Sequence, residues 1–593
     1  MKKTIIFIFI LINSFGLLGQ EKYTISGYIT DKNSGETIVG ANIFCPELKK
    51  GVSSNSYGFY SFTLPKNNYT ILFSFIGYET QQKDVNLSKN LSINVEFEFS
   101  SVNMSEVIIS SDKSIVEKTQ SSMIEVPIEQ IKTIPALLGE VDVLKSIQLL
   151  PGVQSSEGTS GFYVRGGGPD QNLILLDGVP VYNASHIGGL FSVFNADAIK
   201  TVRLTKGGFP ARFGGRLSSV LQIDMKEGNM KKFKGDATIG LISSKLTLEG
   251  PIKKDKTSFI VAARRTYADL FAKPFMPENT DLTLYFYDLN AKINHKLSNK
   301  DRLYLSAYLG DDSFGINYSE SYKGENDIDQ ENLNFGLGYG NITSTLRWNH
   351  LFSNKLFSNT TLTYSRYNFH TDFGVNATQS TSLGNENTSI DFGYISGIED
   401  LGARIDFDYA PSPNQDIKFG TSYTYHQFYP GKTSLNIVAN YADSTPNFSL
   451  DTLLNFSGNT NVHELFFYLE NNIQFTQRLK ANVGMHIGYY SLANNSIANN
   501  ESLFSKINDK KNYSFQPRIS ARYLLTDDWS VKASYAQMQQ NIHLLSNSSV
   551  GFPSDIWVPA IEQVPSQSSE QIAGGFSTQF NNGQFELSIE GYY

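Results

Sequence analysis

The residues of this 593-residue chain that could do chemistry are glycine clusters, eight histidines and one cysteine. Gly166-Gly167-Gly168-Pro169 has the composition of a phosphate cradle, in which backbone N–H groups surround an anion. No Lys-Ser/Thr pair follows to reach the phosphate and its metal, and no strand–loop–helix unit surrounds it. Gly336, Gly338 and Gly340 lie inside an alternating run, so a strand accounts for them better than a nucleotide loop. A hydrolytic zinc site needs paired histidines on one helix face, yet no His begins a His-x-x-Glu or His-Glu-x-x-His pattern. Acyl transfer lacks its Gly-x-Ser-x-Gly elbow, and no close carboxylate pair can be placed. Cys45 cannot form an intrachain disulfide, and its apolar setting in 41–45 marks a buried thiol rather than a reactive one. The expectation is therefore a protein that is not an enzyme and uses no metal or cofactor.

The elements that would position a binding site are strands. From about Lys234 onward, stretches of roughly ten residues alternate apolar and polar, joined by connections that are alternately short and long. Leu479, Ala481, Val483, Met485, Ile487 and Tyr489 share one face of such a strand, and Lys480, Asn482, Gly484, His486 and Gly488 share the other. Leu303, Leu305, Ala307 and Leu309 form another outward face, as do Trp529, Val531, Ala533 and Tyr535. Ser530, Lys532 and Ser534 between the latter suit a wet interior. An Arg or Lys facing lipid at mid-depth would cost about 2–4 kcal/mol, so the alternation separates lipid face from lumen face. Short turns at 251–256, 298–301, 353–355, 411–414, 476–478, 526–528 and 581–583 alternate with long loops near 265–281, 311–332, 370–399, 429–462, 492–512 and 537–568. A tight connection near Ile242 joins the first two strands. The pattern predicts an antiparallel transmembrane β-barrel over 229–593 with about fifteen strands, and the 13% aromatic content suits its interface girdles. Lys and Arg total 49 against 57 Asp and Glu, a net charge of −8 with no basic stripe, which leaves nucleic-acid binding without support. Lys2-Lys3, the apolar run 5–12 and a small residue at Gly19 read as a signal peptide over 1–20. Beyond it no apolar run reaches the roughly 18–20 residues that a membrane helix needs.

Two further segments precede the barrel. Residues 21–98 hold short alternating strands with a turn at 31–35, which fits a small β-sandwich. Gly27, Gly40-Ala41, Gly58-Phe59-Tyr60 and Ile76-Gly77-Tyr78 give it a resemblance to the carboxypeptidase-regulatory-like domain, which implies no peptidase. Residues 99–228 are mixed α and β. A helix is expected on Leu137, Leu138, Val141, Val143, Leu144, Ile147 and Leu150, stopped by Pro151-Gly152. Three glycine-rich blocks follow in order: Gly161 to Gly167 (with Arg165, Gly166), Leu173 to Asn183 (with Asp177, Gly178, Tyr182), and Lys206 to Val220 (with Gly207, Gly208, Arg212, Gly214, Gly215, Arg216). With His186, Gly188 and Phe191-Ser192 they resemble the plug of TonB-dependent outer-membrane receptors, a resemblance that covers the mature chain with the sandwich and the barrel. By themselves these glycines read as turns with φ > 0 or close backbone approaches, and Arg165 and Arg212 as internal salt-bridge partners rather than ligand contacts.

The resemblance implies a bacterial outer-membrane receptor that imports a scarce solute through a plugged barrel of about twenty-two strands. The solute class stays open among siderophores, cobalamin, oligosaccharides and peptides. Ser105, Glu106, Val107, Ile108, Ile109, Ser110 and Ser111 read either as a linker strand or as the TonB box, gripped by strand addition by a TonB-type periplasmic partner. The box is favoured by its place between sandwich and plug. Pro169, Asp170, Gln171, Asn172, Tyr182, Asn183 and His186 are candidate ligand contacts at the plug apices, chosen by loop position. The plug's end differs from the glycan-importing SusC-like branch, which weighs against a surface lipoprotein lid. An odd strand count leaves an unpaired edge in lipid, so roughly seven further strands are expected beyond Tyr593, although Phe585, Leu587, Ile589 and Tyr593 resemble a barrel's closing signal. The alternative from another class is an adhesive or structural surface barrel whose plug is a static seal.

Overall fold

The computed structural model describes residues 21–593 except 101–114, 120–122, 135–138, 156–160, 324–327, 382–383, 443–445, 455–458, 494–510, 546–555 and 582–583. The signal segment and the TonB-box candidate 105–111 lie outside the described residues. No described helix is long and apolar enough to cross a membrane, which says nothing of strands.

The N-terminal segment is a β-sandwich of two four-stranded sheets. In one, Lys22–Asp31 pairs antiparallel with Phe59–Pro65 and parallel with Leu91–Ser92 and Val95–Phe97. The other runs Lys50–Ser53, Asn42–Cys45, Asn68–Ser74, Gln81–Asn86. Alternation turns Ile25, Ile29, Ile43, Phe62, Ile71 and Phe73 into a common core. Cys45 is fully buried in that core, and burial pushes its thiol up to about 11.

The plug is built on a five-stranded sheet ordered Val179–Pro180, Asn172–Leu176, Ser219–Met225, Ile199–Lys206, Met123–Pro127. Two short helices, Ile128–Thr133 and Val143–Gln148, pack Ile131, Val143, Leu144 and Ile147 against it. Of the helix read from the sequence, Leu137 and Leu138 lie outside the described residues, and among the described ones it begins only at Val143. Asp142 caps it, its carboxylate accepting Lys145 N–H at 2.9 Å, and Gly139 ahead of the cap has φ +84°. Asp177-Gly178, both at positive φ, turn Asn172–Leu176 back onto Val179–Pro180.

Among the described residues, sixteen strands from Lys234–Ile239 to Phe585–Tyr592 form one antiparallel sheet, with Phe448–Leu454 paired beside the path on Gln415–Asn440. Exposure alternates along the strands: Leu305, Trp529 and Val531 are exposed, whereas Ser306, Tyr308, Ser530 and Lys532 are buried. The connections expected as long loops at 311–332 and 370–399 are instead strand. Asp301–Lys323 pairs with Ile328–Ser353, and Leu356–Thr381 with Gly384–Ser412, in continuous register to the hairpin tips. Pairing lets polar sequence beyond the membrane satisfy its own backbone hydrogen bonds, so the hairpins continue where hydrophobic alternation fades. The segment 429–462 likewise continues as strand to Asn440.

The wall curves around the plug, touching it from Arg264 to Glu590, and its first and last strands, Lys234–Ile239 and Phe585–Tyr592, are not paired with each other. The sandwich sits at the rim of short turns. Ser61 Oγ donates to Asn354 O (2.7 Å), Lys50 Nζ to Asn414 (2.8 Å), and Phe59 stacks on Phe357 at 5.2 Å between ring centroids. Tyr28, Phe59, Leu351 and Phe357 form a shared apolar core across this junction.

Candidate functional site

The lumen-facing parity of the wall strands dictates what meets the plug. On Thr257–Thr266 and Thr280–Lys296 that parity turns Arg264, Phe286, Asp288 and Lys292 inward, and all four are buried. Arg264 and Asp288 are direct cross-strand partners. Arg264 Nε donates to Asp288 Oδ2 (2.6 Å), Nη1 to Glu140 of the plug (3.0 Å) and Nη2 to Ser192 O (2.8 Å). His186 lies against the same group. Its Nε2 is 2.7 Å from Asp288 Oδ1, its Nδ1 2.5 Å from Asp312 Oδ2, and its ring stacks on Phe286 at 4.0 Å. Burial would lower the His186 pKa, but the carboxylates of Asp288 and Asp312 outweigh it and push it up to about 9. At neutral pH it is an imidazolium with both ring N–H groups donating. Asp177 makes a similar plug-to-wall bond: Lys292 Nζ lies 2.9 Å from it and Met225 N–H donates to it. Burial opposes its charge, but Lys292 and Arg347 hold its carboxyl below the usual range.

A second cluster lies across the lumen. Tyr182 OH donates to Asp400 Oδ2 (2.5 Å), whose Oδ1 meets His426 Nδ1 (2.6 Å). Glu464 lies 3.4 Å beyond His426 and accepts from Asn541 (2.9 Å). Burial, with the Asp400 charge, raises the Tyr182 hydroxyl well above its ordinary range. The described parts of the segment 537–568 fold inward here. Its strands Ile542–Leu545 and Ile556–Pro559 form a hairpin that sets Trp557 5.0 Å from the Tyr182 ring, and Tyr490 OH holds Ala560 O at 2.7 Å.

The expected contact residues therefore divide. Pro169 is exposed; Asp170 accepts from Gln540 (3.3 Å), and Gln171 donates to Gln567 (3.4 Å), both beside the last wall strands. Asn172 is buried, donating to Phe162 O (2.8 Å) and accepting from Ser219 (2.6 Å). Asn183 O accepts from Asn341 (2.7 Å), and His186 is wholly buried in its carboxylate pair. Among the motif arginines, Arg165 pairs with Glu590 at 2.6 Å. Arg212 makes no ion pair among the described residues and lies over the Phe213 ring at 4.8 Å. Gly207 (φ +56°) turns the backbone so that Gly208 N–H meets Gln571 (3.1 Å), and a Cβ on Gly214 would come within 2.2 Å of the His486 ring. Sequence reasoning missed the wall partners Arg264, Asp288, Asp312, Asp400 and His426. Their signal was available as charged residues at lumen parity in otherwise lipid-suited strands. No group of three or more His, Cys, Asp or Glu among the described residues is arranged to hold a metal ion.

Three family patterns match the chain in order: the CarboxypepD_reg-like domain over 25–109, the TonB-dependent Receptor Plug Domain over 116–219, and the TonB dependent receptor-like beta-barrel over 285–593. The TonB-dependent receptor P3 of Formosa agariphila is 30% identical over 91 residues, which are 15% of this chain and 9% of that protein. The fold is similar to that of the FpvA receptor of P. aeruginosa bound to a ferric pyoverdine (TM-score 0.53, 15% identity), covering 81% of this chain and 63% of that one. It is also similar to the copper transporter OprC (TM-score 0.53, 10% identity; 79% and 71% covered) and to BauA, the ferric preacinetobactin receptor of Acinetobacter baumannii (TM-score 0.50, 11% identity; 79% and 70%). The chain thus spans less than two thirds of the length of FpvA and a small part of the Formosa protein.

Proposed function

The chain belongs to the TonB-dependent receptors, an outer-membrane family of receptors and transporters, and from that premise we propose that it imports a scarce small solute by energised rearrangement of its plug. The observation that carries this reading is the plug's attachment. Beside an apolar patch where Phe209, Phe213 and Leu217 meet Ala536 and Met538, it is held to the wall by polar bonds that can be exchanged one by one, Arg264–Glu140, His186–Asp312 and Lys292–Asp177. A seal built that way can be rearranged by a pull from the periplasm. The outer membrane holds no ATP, so the pull comes from a TonB-type partner that pairs with 105–111 as an added strand. Solute is captured on the outer side by Tyr182, which meets Trp557 of the hairpin, with Asn183, the exposed Pro169 and the half-buried Asp170. The solved relatives named above act on ferric siderophores and copper, which makes a metal chelate the first cargo to test, ahead of cobalamin, peptides and oligosaccharides.

Val107→Pro removes a backbone donor and cannot extend a paired strand. It is expected to abolish uptake while leaving surface binding intact. Growth of the deletion strain on limiting iron, copper or vitamin, compared with growth on single glycans, identifies the cargo. Uptake unaffected by Val107→Pro would remove the coupling assignment, and a deletion strain with no growth defect on any source would favour the static adhesive barrel.

A further inference from the structure

A chamber of about 490 Å³ lies between plug, wall and sandwich, within the range of small-molecule sites. Tyr182, Asp400 and Ile542 border it toward the outer side. Toward the inner rim it is closed by the sandwich: Tyr57 stacks on Phe357 at 5.6 Å, and Asn55 donates to Asp408 at 3.1 Å. Its carboxylates are all engaged. Glu125, Asp224, Asp400, Asp406, Asp408 and Glu464 each accept a hydrogen bond from a neighbouring side chain. Its arginines divide. Arg203 and Arg404 are paired with Glu125 and Asp406, whereas Arg212, Arg216 and Arg347 make no ion pair with a carboxylate among the described residues, and Arg216 Nη1 donates only to Gly215 O. Each of these three has a buried Nε–H with no acceptor there, although Arg216 and Arg347 are only 7% and 8% exposed. Arg347 spends Nη2 on Asp177 O and stands 5.3 Å over the Tyr57 ring of the sandwich. Native interiors rarely leave buried donors unanswered, and three around one cavity call for an acceptor inside it.

We propose that this chamber is a binding station for an oxyanion, a carboxylate or phosphate group on a small polar solute, held by Arg212, Arg216 and Arg347 and floored by the sandwich. Guanidinium forks match the planar or tetrahedral oxygens of such groups better than neutral hydroxyls. The station lies inward of the outer capture residues, so it would hold solute after capture and before release past the sandwich. That direction of travel rests on the import reading; the binding itself does not.

The test is calorimetric titration of the purified full-length chain in detergent with citrate, with inorganic phosphate and with glucose. Saturable binding of citrate or phosphate but not glucose is expected, and the tighter of the two identifies the oxyanion. Arg212→Gln should weaken it about tenfold or more, as loss of a charge-assisted hydrogen bond does, and Arg212→Lys should restore part of it. Arg347→Gln should weaken it too, but it also releases Asp177 O, so Arg212→Gln decides if Arg347→Gln unfolds. Arg265→Gln, exposed at the outer rim, should leave binding unchanged. No saturable oxyanion binding, equal binding of glucose, or an equal loss in Arg265→Gln would overturn the station. An unaffected Val107→Pro strain would overturn import and leave this titration untouched.

Discussion

His186 is held between two wall carboxylates, and removing it would leave both buried without their shared cation. His186→Asn is expected to cost about 3–5 kcal/mol, the loss seen when one partner of a buried pair is deleted, read by urea unfolding in detergent. The pH dependence has a definite sign. The folded pKa of about 9 lies above the ordinary 6.5, so the contribution is complete below about pH 6.5 and disappears as pH rises through 9. Melting temperatures from pH 6 to 10 should fall more steeply in the parent chain than in His186→Asn. Gly214 faces a different constraint. A methyl there meets the ring of His486, whose Nδ1 already bonds Ala211 O at 2.7 Å, so Gly214→Ala should destabilise by about 1–3 kcal/mol in the same assay. Glycine at 214 was legible as a close approach, but the residue it approaches was not, because His486 is 272 positions away in a wall strand.

At the scale of elements, strand parity and docking are separable. Leu305 is exposed on the lipid side and Ser306 is buried on the lumen side. Leu305→Arg should cost about 2–4 kcal/mol on folding into lipid vesicles if it lies near mid-depth, whereas Leu305→Ile should be nearly neutral. Phe357 faces inward and receives Phe59 and Tyr57 of the sandwich. Phe357→Ala should remove about 3–5 kcal/mol from that junction, read as faster amide exchange in Phe59–Pro65 with wall strands unchanged. Parity was readable from alternation alone, because lipid and water impose opposite demands on successive side chains. Docking was not, since Tyr57, Phe59 and Phe357 carry no periodic signature of their common contact. The outer hairpins show the same limit: their residues read as loops because alternation weakens outside lipid, while backbone pairing continues.

Across the whole molecule, three bodies share three interfaces: plug with wall, sandwich with rim, and sandwich with plug, where Thr37 meets Lys200 and Glu227. Shortening the hairpin 373–392 at its outer end should lower solute binding to cells while leaving the wall folded. Heat-modifiable migration on a gel would report the wall, and cell-surface binding of the cargo would report the hairpin. Loss of the folded band would show that the hairpin serves the fold instead.

Periodicity and turn chemistry by themselves determined that this chain is mainly β, with a sandwich, a glycine-rich mixed segment and a wall whose faces alternate between lipid and lumen; that the middle segment is a plug followed from its resemblance to a family. These patterns are local consequences of backbone geometry and solvent, and a stretch of ten residues suffices to express them. Only the tertiary structure decided which charges meet. Arg264 with Glu140, His186 with Asp312, and Arg347 with Tyr57 join residues more than a hundred positions apart. Their partnership depends on how a curved sheet wraps a globule, and no local pattern encodes that.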